Sequence, residues 1–121
     1  MKTYSEQLIE MSKSDRDELQ SRLARIMEHL LKVGHLHHLL SQNERLWVGT
    51  IRRERQETVR VLDRHPGLKH LLTQEFVNQA YRESLAAVKP EFPETTFPGC
   101  CPYAVAEVLG REVMQSLGKT R

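Results

Sequence analysis

Two adjacent cysteines, Cys100 and Cys101, stand near the C-terminal end in the run FPGCCPY, and they are the only thiols in the chain. Paired cysteines serve redox exchange, metal binding or local structure. A trans peptide holds neighbouring Cα atoms about 3.8 Å apart, below the usual disulfide span of about 4.4 to 6.8 Å, so a bond between these two is strained and closes no loop. With no third cysteine, no structural disulfide forms within the chain, a composition that fits a reducing compartment and places the protein in the cytoplasm.

Histidine is the second chemical candidate, with His29, His35, His37 and His38 falling within ten residues. On a helix each residue turns by about 100°, so His37 and His38 diverge and only His35 and His38, about 60° apart, share a face. Two ligands make no zinc site, and neither cysteine lies near in sequence, so no metal and no cofactor is expected. His29, flanked by Leu30 and Leu31, is expected to pack and to bond a backbone or carboxylate oxygen.

Arginines carry the remaining possibilities. From Glu44 to His70, seven basic residues (Arg45, Arg52, Arg53, Arg55, Arg60, Arg64 and Lys69) face four acidic ones, while the whole chain has a formal charge of +2. Arg53, Arg60 and Arg64 share one helical face, the pattern of a weak nucleic-acid surface, although Glu57 lies within it and can pair with Arg53 or Arg60. Trp47 is better placed in the core, so aromatic interleaving is absent. Arg55 falls on an inward stripe and needs a carboxylate or carbonyl partner, expected from Glu18 or Glu28; the functional alternative is a cleft in which it awaits phosphate or carboxylate. HEPN-type ribonucleases, small helical bundles with an arginine four to six residues before a histidine, supply an enzymatic alternative. Arg60 with His65, Arg64 with His70 and Arg22 with His29 meet a spacing that chance provides about twice in such a composition.

The elements that position these residues read as helices throughout. Thr3 with Glu6 matches a capping box, Ser14 with Asp17 offers a second start and hence a break near Ser12, and Leu19, Leu23, Ile26, Leu30 and Val33 form an apolar seam widened by Met27 and Leu31. Gly34 predicts a kink or short turn ending in the polar SQNE. A second helix is expected from about Glu44 to Arg64, with Trp47, Ile51, Arg55, Thr58 and Leu62 inward. Pro66 should open a third helix with two stripes, Leu68, Leu72, Phe76 and Ala80 beside Val77, Tyr81, Leu85 and Val88. Pro90, Pro93, Pro98 and Pro102 then predict an extended strap over 90–102 anchored by Phe92 and Phe97, and a last helix over about 102–117 closed by Gly118. No run of about 18 uncharged apolar residues is present, so no membrane partner is expected.

In this order RLARIMEHLLK, the tryptophan followed by TIRRERQE, HPGLKHLL, AYRES and FPGCCPY resemble the bacterial domain-of-unknown-function family number twenty-nine over roughly Ser12 to Leu109. The resemblance implies an all-α domain and brings no catalytic residues with it. Its motif FPxxCPY places Cys101, between Pro98 and Pro102, at the motif cysteine and leaves Cys100 at a variable position. Cys101 would then be an N-cap-like residue, Pro102 would open the last helix and Tyr103 would pack over it; the alternative is a redox thiol activated by the helix N-terminus. The resemblance implies a further segment before the long helix, and a polar, proline-containing link before the tryptophan where this chain has VGHLHHLLSQNERL; the chain departs from the pattern at both places. The reading is a single all-α domain over 1–121, a bundle of four to five helices acting as a non-enzymatic protein-interaction or regulatory module, with a shared first-helix seam and a homodimer as one arrangement.

Overall fold

The computed structural model describes residues 4–118 as helices joined by one extended segment. Helix α1 spans Tyr4–His35 and α2 spans His37–Arg64; a short 3-10 turn follows over Pro66–Leu71, then α3 over Gln74–Glu91 and α4 over Val105–Gly118. No strand occurs among the described residues, so the all-α class stands. No helix among them is long and apolar enough to cross a membrane.

The apolar seam of α1 buries Leu19, Leu23 and Ile26 completely, together with Met27 and Leu31 on its flank, whereas Leu30 and Val33 stay partly exposed. These side chains pack against α2 and α3, so the seam that a second copy would share is covered within one chain. Helix α1 runs without a break past Ser12, because Ser14 and Asp17 lie exposed on its outer side and cap nothing there. The Thr3–Glu6 capping box lies outside the described residues.

The corner after Gly34 is sharper than expected. Helical geometry fails at Leu36 alone (φ −109°, ψ 57°), and that side chain is fully buried, so the apolar core pins the corner. The second helix therefore starts at His37 and not near Glu44. The polar SQNE continues it, with Asn43 Nδ2 donating to the Leu39 carbonyl at 2.9 Å. Inward on α2 lie Trp47, Thr50, Ile51, Glu54, Thr58, Val61 and Leu62.

The expected third helix is two elements. Pro66 opens the 3-10 turn, Leu72 leaves helical geometry (φ −76°, ψ 67°), and Thr73 begins α3 by accepting a hydrogen bond from the Phe76 N–H at 3.2 Å. A threonine cap of this kind contributes about 1 kcal/mol, which explains the restart. Phe76, Val77, Ala80, Tyr81, Leu85 and Val88 are all buried, as both stripes require. Pro90 sits inside the last turn of α3, and the helix survives it by one residue.

The strap from Phe92 to Ala104 is fixed at three points. Phe97 is buried with its ring edge-on to His35 at 5.8 Å, the Tyr81 hydroxyl donates to the Pro98 carbonyl at 2.6 Å, and the half-buried Phe92 ring lies 5.9 Å from Lys32 Nζ. The last helix starts at Val105 and not at Pro102, because the Ala104 N–H donates to Glu107 Oε1 at 3.0 Å while its carbonyl accepts from Glu107 and Val108. Cys101 therefore caps no helix.

Candidate functional site

Residues 15, 18, 22 and 25 of α1 step by three and four and form one edge of the helix. That edge meets α2 in antiparallel order. Asp15 contacts His65 at 3.3 Å, Glu18 contacts Arg64 at 3.4 Å, and Glu54 accepts from Arg22 Nη1 at 3.0 Å with Arg25 Nε at 3.4 Å. Glu54, only 7% exposed, is the buried charge of α2, a position one residue away from the arginine that the sequence stripe selects. Its hydrogen bond to Arg22 is the main cause that raises the pKa of that guanidinium.

Arg55 does not take Glu18 or Glu28. Glu18 serves Arg22 and Arg64, and Glu28 serves Lys32 at 3.3 Å. The Arg55 guanidinium instead crosses to α4, where Nε donates to the Val108 carbonyl at 3.0 Å and Nη2 to the Glu107 carbonyl at 2.7 Å. Those carbonyls end a helical stretch because Gly110 interrupts α4 with φ 71° and ψ 178°. A cation at the carbonyl end of a helical stretch satisfies orphan acceptors and opposes the local dipole. A Cβ on Gly110 would lie 2.6 Å from Arg55 Nε, so the glycine is the groove that admits the arginine. The carbonyl partner that an inward arginine requires is thus supplied by α4.

On the outer face of α2 the three arginines of the nucleic-acid reading differ in circumstance. Arg60 pairs with Glu57 and Arg64 with Glu18, whereas no carboxylate pairs with Arg53 among the described residues. Sequence reasoning passed over Gly49. It sits on the outer side of α2 with nothing within 4 Å of where a Cβ would be, and its neighbours one turn before and after are Arg45, Leu46, Arg52 and Arg53, all exposed. Leu46 is 65% exposed, and the depression beside Gly49, about 440 Å3, is lined by Glu44, Arg45, Val48 and Arg52. A glycine in an α-helix interior costs roughly 1 kcal/mol against alanine, so the glycine together with the exposed leucine is the signal available in the sequence.

The profile of the family described as Domain of unknown function DUF29 matches residues 1–114. The chain belongs to the DUF29 family. No curated protein and no solved structure matches it. The DUF29 match takes in Arg55, Gly110, the outer face of α2 and the whole strap.

Among the histidines and thiols of the DUF29 chain, His29 and Cys101 are held by local structure, whereas His37, His38 and Cys100 lie exposed. His29 is 7% exposed, and its Nδ1–H donates to the Arg25 carbonyl at 2.9 Å, which sets the tautomer. Burial lowers its pKa from the ordinary value near 6.5. The folded state therefore favours the neutral ring, so stability present above about pH 6.5 is lost as the unfolded chain takes up the proton on acidification. A His29→Gln variant is expected to lose less of its urea midpoint than the wild type between about pH 7 and pH 5; parallel pH profiles would contradict this. Among the described residues no group of three His, Cys, Asp or Glu converges on a common point. For the ribonuclease pairing, Arg60 is occupied by Glu57 and His65 by Asp15.

Cys100 is exposed, whereas Cys101 is half-buried beside Met27 Sδ at 4.0 Å and donates to the Tyr103 carbonyl at 3.4 Å. Burial raises the Cys101 pKa, the opposite of what an activated thiol needs. Tyr103 packs edge-on to Tyr81 at 6.3 Å, and burial pushes the Tyr81 hydroxyl up to about 12. Pro98 supplies the carbonyl for that hydroxyl, and Pro102 keeps the chain extended before α4.

Proposed function

We propose that this DUF29 protein is a non-enzymatic protein-interaction module whose contact face is the outer side of α2 around Gly49. The observation that carries this reading is the notch itself, ringed by Arg45, Leu46, Arg52 and Arg53. A missing Cβ lets another backbone approach, an exposed leucine gives an apolar anchor, and three arginines favour an acidic partner. A phosphate backbone has no use for the leucine. The fitting partner is thus an acidic protein segment with an apolar side chain to set beside Leu46.

The test compares the tagged wild type with Gly49→Ala, recovered from the native cells at moderate salt. Alanine fits the open space at this position and should stabilise the helix by about 0.5–1 kcal/mol, so loss of a partner cannot be laid to unfolding. A stoichiometric acidic protein retained by the wild type and lost from the variant is the expected result. An unchanged set of co-eluting proteins would sink the α2 face. Nucleic acid that leaves at raised salt, and is lost when Arg53, Arg60 and Arg64 are replaced by alanine, would put a nucleic-acid binder in its place.

A further inference from the structure

A cleft of about 670 Å3 opens between the Lys13–Arg16 turn of α1 and the HPGLKHL segment after α2. Its cations stand on two walls, Lys13 and Arg16 on α1 and Arg64 in the last turn of α2. Asp15 is the one carboxylate among the described lining residues, so with both imidazoles neutral three cations face one anion, a formal +2. The whole chain also carries a formal +2, so this cleft and the arginines around Gly49 are local cationic excesses balanced by acidic residues elsewhere.

The carboxylates at hand are already engaged. Asp15 contacts His65 Nε2 at 3.3 Å, and Glu18 divides itself between Arg22 and Arg64 at 3.8 and 3.4 Å. The Arg64–Glu18 pair is loose, with 59% and 36% of the side chains exposed, and such a pair contributes about 0–1 kcal/mol, so a better anion displaces it. Arg64 also opposes the dipole at the end of α2, but that role has no need of Lys13 and Arg16 on the other helix.

The remaining wall is apolar, formed by Pro66, Leu68 and Leu71. His70 belongs to the same cleft, and its Nδ1–H donates to the Gly67 carbonyl, which leaves Nε2 as the acceptor of the neutral ring. An adjoining cavity of about 210 Å3 shares Arg16 and His70 but holds Glu75, a charge that repels a longer chain of phosphates. The volume falls within the roughly 300–1,000 Å3 of small-molecule sites.

We propose that the cleft between Lys13–Arg16 and the 66–71 turn binds a phosphate monoester of mononucleotide size, with the phosphate between Arg16 and Arg64 and the organic body against Pro66 and Leu68. Arginine on either side suits a phosphate because each guanidinium can donate two parallel hydrogen bonds. Arg64 lies 15 residues from Gly49, about 22 Å along the helix, so this site stands or falls independently of the interaction face.

Isothermal titration at low salt, with adenosine 5′-monophosphate as the probe and adenosine and ribose 5-phosphate as comparators, decides the matter. The monophosphate should bind with a Kd below about 1 mM and at least about tenfold more tightly than adenosine. Arg16→Ala and Arg64→Ala should each weaken it about tenfold, and Asp15→Asn should tighten it about threefold, with the circular dichroism of all three unchanged. Ribose 5-phosphate binding as well as the nucleotide keeps the phosphate site and assigns its ligand to the sugar phosphates. Equal affinity for adenosine and its monophosphate, no binding of either phosphate, or an affinity indifferent to Arg16→Ala overturns the proposal.

Discussion

Gly110→Ala is expected to lower stability by about 3 kcal/mol. A residue with a side chain at a φ near +70° with extended ψ sits in a region reserved almost wholly for glycine, at a cost of about 1–3 kcal/mol. The new Cβ would also lie 2.6–2.8 Å from Nε, Cζ and Cδ of Arg55, so the guanidinium must leave the Glu107 and Val108 carbonyls. Losing such charged hydrogen bonds adds about 1–2 kcal/mol, and alanine returns less than 1 kcal/mol by stiffening the unfolded chain.

A double-mutant cycle separates the two contributions. Arg55→Ala alone removes the hydrogen bonds and leaves the backbone of Gly110 undisturbed, and should cost about 2 kcal/mol. Gly110→Ala introduced into the Arg55→Ala protein then meets no guanidinium and should cost only its backbone strain. Urea midpoints of the four proteins should therefore be non-additive by at least about 1 kcal/mol. Additive losses would mean that the glycine and the arginine act separately and that the groove is no clasp.

The clasp also marks where reading the sequence reaches its limit. A period of 3.6 placed Arg55 on an inward stripe, where the structure has Glu54 in its stead, and the demand that its charge be answered followed from elementary electrostatics. Which group answers it depends on how α4 lies against α2 and on the break at Gly110 that makes room for the guanidinium, a residue the apolar pattern Val105, Leu109, Val113 runs straight through. The seam of α1 was legible because Leu19, Leu23 and Ile26 repeat on one face and contact two other helices at once. The start of α2 was not, since SQNE carries no apolar signal and its helix is held by the buried Leu36 corner upstream. The same holds for the split at Leu72, where the pattern of stripes continues across the break and the Thr73 cap is the local cue. For the sites, the arginines of α2 were visible as a run, but the notch at Gly49 and the cleft at Arg16 and Arg64 appear only when neighbouring turns and distant segments are brought together.

The other large effect is expected at Glu54. Glu54→Ala removes the carboxylate that holds Arg22 and Arg25, and leaves Arg22 with an Nε already buried and without a hydrogen-bond partner among the described residues. Breaking a fully buried pair costs about 3–5 kcal/mol, and breaking an exposed one about 0–1 kcal/mol. Here the Glu54 side chain is 9% exposed and that of Arg22 31%, so a loss of about 2–3 kcal/mol is expected, between those limits. The buried location also predicts that this loss persists at 1 M salt, where the exposed Arg60–Glu57 pair contributes nothing measurable. Replacing both partners, as in Glu54→Leu with Arg22→Leu, should cost less than Glu54→Ala alone, because the buried charges go together and only Arg25, whose side chain is 56% exposed to water, loses its carboxylate. Urea denaturation of the single and double variants checks this order, and a double variant less stable than the single one would show that the pair contributes specific stability beyond the mutual neutralisation of two charges.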